Sequence, residues 1–322
     1  METNYVFEKT SGLIKEVSLE DALQEGKGKQ SCVWINLFDP SEQEITAISQ
    51  ALALHELTVE DLLSPKVRPK VEEFEDHLFV VFKAMNFNKG EDILDMINLN
   101  FLLFKNMLIT VHIETLKSIT ELQDEVKKRP KILKQGVDFL FYSILDRVVD
   151  KYLPLLDELA DELDEVEKRL FEEFDPKVSE TIFKIKASIA QLRKRVAPQR
   201  EILLNLSGRQ HQLINPKTQV YLRDVYDHII RVHDNLESYR DIIQGAMDSY
   251  MTQVSNRMND VMKTLSIVAT VMMPLAFLTG LYGTNFEVLP GSKGPYAFWI
   301  FIAIMTGILV LNAAYFKWKK WF

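Results

Sequence analysis

Two long uncharged stretches near the C-terminal end constrain this chain more than any other feature. Thr264 to Phe286 has no charged residue in 23 positions, and Gly294 to Phe316 has none in 23. About 20 apolar residues in a helix cross the roughly 30 Å core of a bilayer. Because lipid leaves no backbone group to be hydrated, both stretches must be helical. The sequence therefore predicts a hairpin of two transmembrane helices.

The charges that flank the two stretches predict their orientation. Basic residues lie before the first stretch (Arg257 and Lys263) and after the second (Lys317, Lys319 and Lys320). The turn between the stretches holds only one lysine, Lys293, and one glutamate, Glu287. By the positive-inside rule, both termini and the whole preceding body lie in the cytoplasm. The alternative is that both stretches are buried helices of a soluble protein, which their length and flanking aromatic residues argue against.

Composition excludes several other classes of protein. The net charge of −8 argues against a nucleic-acid partner, and the single cysteine, Cys32, rules out a disulfide framework and suits a reducing compartment. Met1 to Lys9 has no apolar core of the kind that signal peptides carry. We find no Walker loop and no catalytic constellation, so the sequence predicts neither nucleotide binding, nor an organic cofactor, nor enzymatic activity.

Residues 1–135 have the pattern of an α/β domain. Short runs rich in β-branched and aromatic residues alternate with helical segments. Ser41 and Glu44 have the spacing of a capping box at the start of a helix that runs to about Leu54. The predicted strands are Ser31–Phe38, His77–Phe87, Ile93–Phe104 and Met107–Ile113. Two more helices are predicted over Leu57–Leu63 and Leu116–Lys127, and a turn at Asn88-Lys89-Gly90.

Residues 136–263 are predicted to be helical throughout. An acidic segment, Asp150–Asp175, ends at a break at Asp175-Pro176, and Pro176 is expected at the first position of the next helix. That helix contains a basic segment, Thr181–Arg200. The two form an antiparallel hairpin, in which the charges either pair along solvated faces or gather cations near a pore mouth. Asn215-Pro216 starts a further helix that continues into the first span. From 217 to 281 it would be about 98 Å long, which favours a symmetric bundle of such helices.

One face of the long helix carries seven uncharged residues at spacings of three and four, which we call the apolar stripe. Its members are Met258, Met262, Leu265, Ala269, Met273, Ala276 and Gly280. Two spans cannot enclose a polar pathway, whereas several copies can, with the stripe lining a narrow constriction that gates by dewetting. The alternative is that the stripe packs against the second span.

The motifs around the hairpin resemble those of the CorA family of magnesium and cobalt channels. Met273-Pro274-Leu275 and Gly280-Leu281-Tyr282-Gly283-Thr284-Asn285-Phe286 are similar to the family's Gly-Met-Asn region, and Lys317-Trp318-Lys319-Lys320 to its basic tail. Upstream, the likeness extends to His55-x-Leu57-x-x-Glu60-Asp61-x-Leu63, to Arg68-Pro69-Lys70-Val71-Glu72 with Phe74, and to Arg223-Asp224-Val225-Tyr226-Asp227-His228. The resemblance covers nearly the whole chain and implies a pentameric funnel.

The resemblance implies a selectivity filter at Gly283, Thr284 and Asn285, which we call the filter turn. Mg²⁺ gives up its octahedral water shell reluctantly, so a ring of Asn285 side-chain oxygens with backbone carbonyls near Gly283 could bind the hydrated ion. Taken without the resemblance, Gly283 and Asn285 are simply turn formers. The family has methionine where this chain has Thr284, and often a pore hydroxyl where it has Ala276. These departures leave ion preference open.

The resemblance also implies a regulatory Mg²⁺ site between subunits. Asp61 of one subunit and Asp224 of its neighbour would bind the ion, with Glu60 as a further ligand; carboxylates packed together repel, and a divalent cation relieves this. Asp227 is interpreted as a solvated residue. His228, four residues after Asp224, is either a hydrogen-bonding partner of a metal ligand or a surface residue.

Taken together, the sequence predicts a homo-oligomeric channel for Mg²⁺, with Co²⁺ and Ni²⁺, in the cell membrane. The membrane potential drives the ion and cytoplasmic Mg²⁺ closes the channel; its partners are further copies of itself, lipid and divalent cations. The alternatives are a zinc transporter of the same superfamily and a membrane-tethered signalling or scaffold protein. The expected segments are an α/β domain (1–135), a helical hairpin and stalk (136–263), a first span (264–286), an outer loop (287–295), a second span (296–316) and a basic tail (317–322).

Overall fold

The computed structural model describes residues 2–9, 11–28, 30–64, 67–86, 95–128, 131–172, 174–284, 290–291, 294–319 and 321. These residues form two compact units, Met1–Gly245 and Ala246–Phe322. The predicted turn at Asn88-Lys89-Gly90 lies outside the described residues, as do Asn285 and Glu287 of the outer turn.

The first unit is built on a seven-stranded mixed sheet. Its strands are β1 (Glu2–Glu8), β2 (Ile14–Glu16), β3 (Ser31–Phe38), β4 (Lys70–Glu73), β5 (His77–Asn86), β6 (Asp95–Phe104) and β7 (Met107–His112). Their order across the sheet is β2-β1-β3-β7-β6-β5-β4. The pairs are antiparallel except for β3 and β7, which run parallel with Asn36 opposite Thr110.

Ten helices accompany the strands in the described part of the chain. They are α1 (Leu19–Gly26), α2 (Glu42–Leu52), α3 (Glu56–Leu63), α4 (Lys117–Lys128), α5 (Lys131–Gln135), α6 (Val137–Asp150), α7 (Tyr152–Phe171), α8 (Val178–Gly208), α9 (Pro216–Tyr282) and α10 (Ala297–Trp318). The predicted capping box is present, since Ser41 N–H donates to Glu44 Oε2 over 2.6 Å and Glu44 N–H to Ser41 Oγ over 3.3 Å. Pro176 precedes α8 by two residues and is not its first residue, because Asp175 caps the turn: Lys177 N–H donates to Asp175 Oδ1 over 2.9 Å.

The sheet buries an apolar face on each side. Ile45, Ile48 and Leu62 from α2 and α3 pack with Val33 and Ile35 of β3 in one cluster. On the opposite side Phe101 of β6 meets Phe141 of α6 edge to face, with ring centroids 5.0 Å apart. The sheet is therefore the middle layer of an α/β domain, as the sequence predicts.

The two charged helices form the predicted hairpin, and some of their charges reach α9. Arg169 pairs with Asp175 at the connection between α7 and α8. Further along α8, Arg193 pairs with Glu237 of α9, and Lys186 Nζ donates to Gln244 Oε1 over 3.0 Å. Charge pairing therefore holds α8 against the long helix as well as joining the ends of the hairpin.

A buried polar group at the end of the central strand β7 makes folding stability depend on pH. His112 is 4% exposed; its Nδ1 lies 2.7 Å from Glu114 O and its Nε2 3.1 Å from Asn36 Oδ1. Burial lowers the pKa of His112 below its usual 6.5, although the bond to Glu114 opposes the shift. The unfolded chain therefore takes up this proton at a higher pH than the folded chain. The stability contribution is complete above pH 6.5 and is lost as the pH falls through the lowered pKa.

We expect His112→Gln to remove this part of the pH dependence, because glutamine does not titrate. Each unit of the shift is worth about 1.4 kcal/mol. Thermal unfolding of the detergent-solubilised chain would be measured in the presence of a chelator at about pH 7.5 and about pH 5.5, which lie on either side of the ordinary histidine pKa. The melting temperature of the wild type should fall more than that of the variant. His233→Gln, on α9 beside Asp234, is the control, and equal losses in all three proteins would contradict the prediction.

The second unit contains the end of α9 and all of α10. Both helices are long and apolar enough to cross a membrane, and neither apolar segment is buried within the protein. The half-buried residues of α10 recur at spacings of three and four along one face: Ala297, Phe301, Met305, Ile308 and Asn312, followed by the buried Phe316. The helix α9 ends at Tyr282, four residues before the predicted end of the first span.

Candidate ion pathway and cation site

The end of α9 explains why glycine follows Tyr282. Gly283 N–H donates to Thr279 O over 2.9 Å. A β-carbon at position 283 would lie 2.9 Å from the same carbonyl oxygen, which is closer than real β-carbons approach. Gly283 is therefore required by this close approach of the backbone.

Thr284 completes the helix end with its side chain. Its Oγ1 donates to Leu281 O over 2.7 Å, which satisfies one of the carbonyls that a helix terminus leaves unpaired. The hydroxyl proton of Thr284 is thus donated within the protein, and the lone pairs of Oγ1 remain to accept hydrogen bonds from the water shell of an ion. Thr279 behaves similarly, because its Oγ1 donates to Leu275 O and Ala276 O over 2.9 and 3.1 Å.

All seven residues of the apolar stripe are exposed in the protomer. Met273 is 70% exposed and Leu265 61%. The half-buried residues of this part of α9 lie on another face: Ile267, Val271, Pro274, Leu275 and Leu278. Packing against α10 therefore does not account for the stripe, and the protomer presents it as an uncovered apolar surface.

Asp61 lies on α3 in contact with a lysine. Lys70 Nζ is 2.6 Å from Asp61 Oδ2 and 2.7 Å from Glu72 Oε1. Burial alone would lower the pKa of Lys70, but its bonds to Asp61 and Glu72 outweigh burial and raise that pKa. A cation that binds Asp61 must therefore use the oxygen that Lys70 leaves free or displace the ammonium group. Glu60, the neighbouring candidate, is exposed.

Asp224 lies on α9 beside a cluster that the sequence did not single out. Asp146, Asp150 and His228 each offer one ligand atom, and these atoms lie within 4.8 Å of one another. We call them the acid–histidine cluster. Asp224 Oδ2 is 3.9 Å from His228 Nε2, while His228 Nδ1 is 3.6 Å from Asp150 Oδ1. Within one protomer the described ion pair of Asp224 is thus with His228, and that of Asp61 is with Lys70.

The electrostatics of the cluster favour a divalent cation. Burial raises the pKa of Asp146, the charges of Asp150 and Asp224 raise it further, and His228 opposes them. Tyr142, one turn earlier on α6, has its pKa raised to about 12 by burial and by Asp146. Three carboxylates that share one region repel in their ionised form, and a bound cation would remove this repulsion. The sequence contains a signal for this cluster that the sequence analysis did not use. Asp146 and Asp150 are four residues apart on α6, as Asp224 and His228 are on α9, and this spacing puts each pair on one face of its helix.

The chain combines an α/β body, a long helix and two adjacent C-terminal spans. It therefore falls in the class of two-span membrane proteins with a large extramembrane domain. The chain belongs to the CorA-like Mg²⁺ transporter protein family, whose family model matches residues 29–319. The family resemblance inferred from the motifs is therefore confirmed.

Individual relatives support the same assignment. The cobalt/magnesium transport protein CorA of Thermotoga maritima is 35% identical over 294 residues, which cover 89% of this chain and 83% of that protein. The complete structure of the CorA magnesium transporter from Methanocaldococcus jannaschii superposes with a TM-score of 0.86 at 24% identity, covering 100% of this chain and 99% of that one. The cytoplasmic domain of ZntB from Vibrio parahaemolyticus shares the fold alone, with a TM-score of 0.65 at 15% identity over 79% of this chain and 98% of that one. The zinc alternative is therefore not favoured.

Proposed function

We propose that five copies of this chain form a channel that conducts Mg²⁺, Co²⁺ and Ni²⁺ across the cell membrane. The observation that carries the proposal is the apolar stripe, which is exposed in the protomer and leads to the filter turn. One protomer supplies two spans, which cannot surround an ion, so the pathway needs several stripes around an axis. The names of the T. maritima and M. jannaschii relatives supply Mg²⁺ and Co²⁺, whereas Ni²⁺ is carried over from the sequence-based prediction and the number of copies follows the family resemblance.

The filter turn is proposed to select the hydrated ion. Gly283 and Thr284 end α9 through bonds to Thr279 and Leu281, so Asn285 follows a fixed helix end. Asparagine oxygens and backbone carbonyls are uncharged acceptors, suited to the water shell that Mg²⁺ gives up slowly. The stripe beneath them contains no ionisable residue and would close by dewetting when the helices approach.

The membrane potential is sufficient to drive transport in the proposed orientation. By the positive-inside rule, the basic flanks favour a cytoplasmic position for both termini and the body. A divalent ion then gains about 4.6 kcal/mol per 100 mV. At about 1.4 kcal/mol per tenfold ratio this supports more than three decades of accumulation.

Cytoplasmic Mg²⁺ is proposed to close the channel by binding between subunits. Asp61 and Glu60 of one subunit and Asp224 of the next are the proposed ligands. The acid–histidine cluster adds Asp146 and Asp150 beside Asp224, and it extends the site along α6. When internal Mg²⁺ falls, the repulsion between these carboxylates would separate the subunits and open the stripe.

Ion uptake into proteoliposomes under an imposed potassium-diffusion potential tests the proposal. We expect Mg²⁺ uptake to increase with the inside-negative potential, and Co²⁺ and Ni²⁺ to follow the same dependence. Hexaammine-cobalt, which imitates a hydrated ion that cannot shed its ligands, should block from outside. Protein-free vesicles are the control. Uptake of Zn²⁺ without Mg²⁺, or uptake that ignores the potential, would contradict the proposal.

The middle residue of the filter turn provides a test of ion preference. We expect Thr284→Met to change the ratio of Mg²⁺ to Zn²⁺ uptake by about two- to tenfold, since one hydrogen bond is worth about 0.5–1.5 kcal/mol. The variant loses both the bond to Leu281 and the acceptor oxygen. Thr306→Met on α10 is the control, because Thr306 Oγ1 likewise donates within its helix, to Ile302 O over 2.9 Å. An unchanged ratio in Thr284→Met would mean that the middle residue is only a spacer.

A further inference from the structure

Lys70 places a cation of the protein's own beside the carboxylate of Asp61. Its Nζ lies 2.6 Å from Asp61 Oδ2 and 2.7 Å from Glu72 Oε1. The same nitrogen lies 5.7 Å from the centre of the Phe79 ring, a distance at which a cation is attracted to the face of an aromatic ring. The side chains of Lys70 and Asp61 are both only partly exposed, so solvent and salt weaken their attraction less than on an open surface. The ammonium group is therefore a stable occupant of the position beside Asp61.

Regular secondary structure holds the two partners in place. Asp61 lies in α3, whose Leu62 is buried in the cluster on one side of the sheet. Lys70 is the first residue of β4, where it pairs with Val81 of β5. Because helix and strand are already ordered, the two side chains meet without a further loss of backbone freedom. A cation from solution must therefore displace a competitor that is always present.

Glu72 offers the ammonium group a second position. Its Oε1 accepts a hydrogen bond from Lys70 Nζ, whereas its Oε2 is buried and has no hydrogen-bond partner among the described residues. A buried acceptor without a donor costs free energy. When a divalent cation takes Asp61, the ammonium group can stay at Glu72 and turn toward this oxygen. Lys70 can thus leave Asp61 without losing all of its partners.

We propose that Lys70 competes with cytoplasmic Mg²⁺ for Asp61 and thereby sets the Mg²⁺ concentration at which the channel closes. This rests on the proposed function, because it requires Asp61 to be a ligand of the regulatory ion. The ammonium group is tethered, so its local concentration is high and fixed, whereas that of Mg²⁺ varies. Without Lys70, the ion would meet two carboxylates whose charges are not compensated, and it would bind more tightly. Competition by Lys70 therefore raises the closing concentration.

Lys70→Met tests the proposal, because it removes the ammonium group and keeps an unbranched side chain. We expect the Mg²⁺ concentration that protects the purified channel from proteolysis to fall about three- to tenfold, between the effects of an exposed ion pair and of a hydrogen bond to a charged group. The internal Mg²⁺ concentration that halves uptake into proteoliposomes should fall by the same factor. The direction distinguishes competition from damage, because a damaged site binds the ion more weakly and both concentrations would rise.

Three further variants make the result specific. Lys15→Met removes the same charge from the same domain, at a lysine that pairs with Glu8 over 2.6 Å, and it should match the wild type. Lys70→Arg keeps the charge and should lower neither concentration. Lys70→Gln removes the charge but keeps a hydrogen-bond donor, so it supplies the readout if Lys70→Met does not assemble, as judged by size-exclusion chromatography.

A double variant shows whether Lys70 acts through Asp61. In an Asp61→Asn background, adding Lys70→Met should change neither concentration by more than about twofold, because the two changes remove the same interaction. If Lys70→Met lowers both concentrations as strongly in this background as in the wild type, Lys70 does not act by competing for Asp61.

The outcomes separate this inference from the proposed function. If Mg²⁺ does not protect the wild type, closure by cytoplasmic Mg²⁺ fails and this inference fails with it. If Mg²⁺ protects the wild type and Asp61→Asn needs more of it, while Lys70→Met needs as much as the wild type or more, the competing role is overturned and the regulatory site stands. An equal fall in Lys15→Met would also overturn it, because the effect would then arise from net charge.

Discussion

Asn285→Ala should reduce Mg²⁺ uptake at least about a hundredfold while leaving the oligomer intact. Hydrogen bonds to a charged group are worth about 1.5–3 kcal/mol each, so losing the equivalent of two of them from the proposed ring is enough for a hundredfold effect at about 1.4 kcal/mol per decade. The residue follows the end of α9 in the sequence, and its proposed role is to accept hydrogen bonds from the ion's water shell. Uptake into proteoliposomes under a fixed potential is the measurement, with assembly checked by size-exclusion chromatography.

The matched control is Asn312→Ala, which makes the same truncation on the second span. Asn312 Nδ2 donates to Ile308 O over 2.9 Å, within its own helix, so this variant should keep uptake within about twofold of the wild type. A properly assembled Asn285→Ala channel with normal uptake would exclude Asn285 from the filter.

Replacing Asp61 and Asp224 together by asparagine should remove the response to internal Mg²⁺. Bound Mg²⁺ stabilises the closed state by RT ln(1 + [L]/Kd) for each site, and several weak sites acting together suffice at millimolar concentrations. The double variant loses both the ligands and the repulsion that opens the channel. We expect the Mg²⁺ concentration that protects the purified channel from proteolysis to rise at least about tenfold, the effect of about 1.4 kcal/mol. Conduction itself should persist.

Two further variants define which carboxylates form the site. Asp227→Asn, three residues from Asp224 and exposed, is the control and should keep the protection of the wild type. Asp146→Asn with Asp150→Asn removes the acid–histidine cluster, and it should shift the protecting concentration in the same direction. If the Asp61 and Asp224 double variant is protected at the Mg²⁺ concentration of the wild type, regulation depends on other residues.

The local elements were largely predictable because their signals lie within a few residues. The capping box at Ser41 and the uncharged run before Tyr282 identify helices without knowledge of their neighbours. β1, β2 and β4 were missed. β1 becomes a strand by pairing with the distant β3, whereas β2 and β4 have only three and four residues, too few to show an alternating pattern. Strand order likewise depends on pairings such as β3 with β7, which no local pattern encodes.

Candidate site residues could be predicted where they lie in one contiguous motif. Residues that are brought together only by the packing of separate elements could not. Gly283 and Thr284 are filter residues that the sequence predicts, and the structure adds the bonds that end α9 there. Asp146 and Asp150 were missed, because an acid on a helix usually faces solvent and its partner on α9 follows only from the packing of two helices. Lys70 was known as part of a motif, but its contact with Asp61 depends on how β4 lies beside α3.

The parallel pairing of β3 with β7 has a consequence for biosynthesis. The sheet cannot be completed until β7, which ends at His112, has been synthesised. The apolar stretch that begins at Thr264 is translated much later. At about 5–20 residues per second the ribosome needs about 8–30 s for the intervening chain, whereas mixed α/β domains of this size fold within about a second. The strands of the sheet therefore have time to pair before the first span leaves the ribosome, and the membrane insertion machinery receives a helix hairpin attached to a chain whose sheet has already formed.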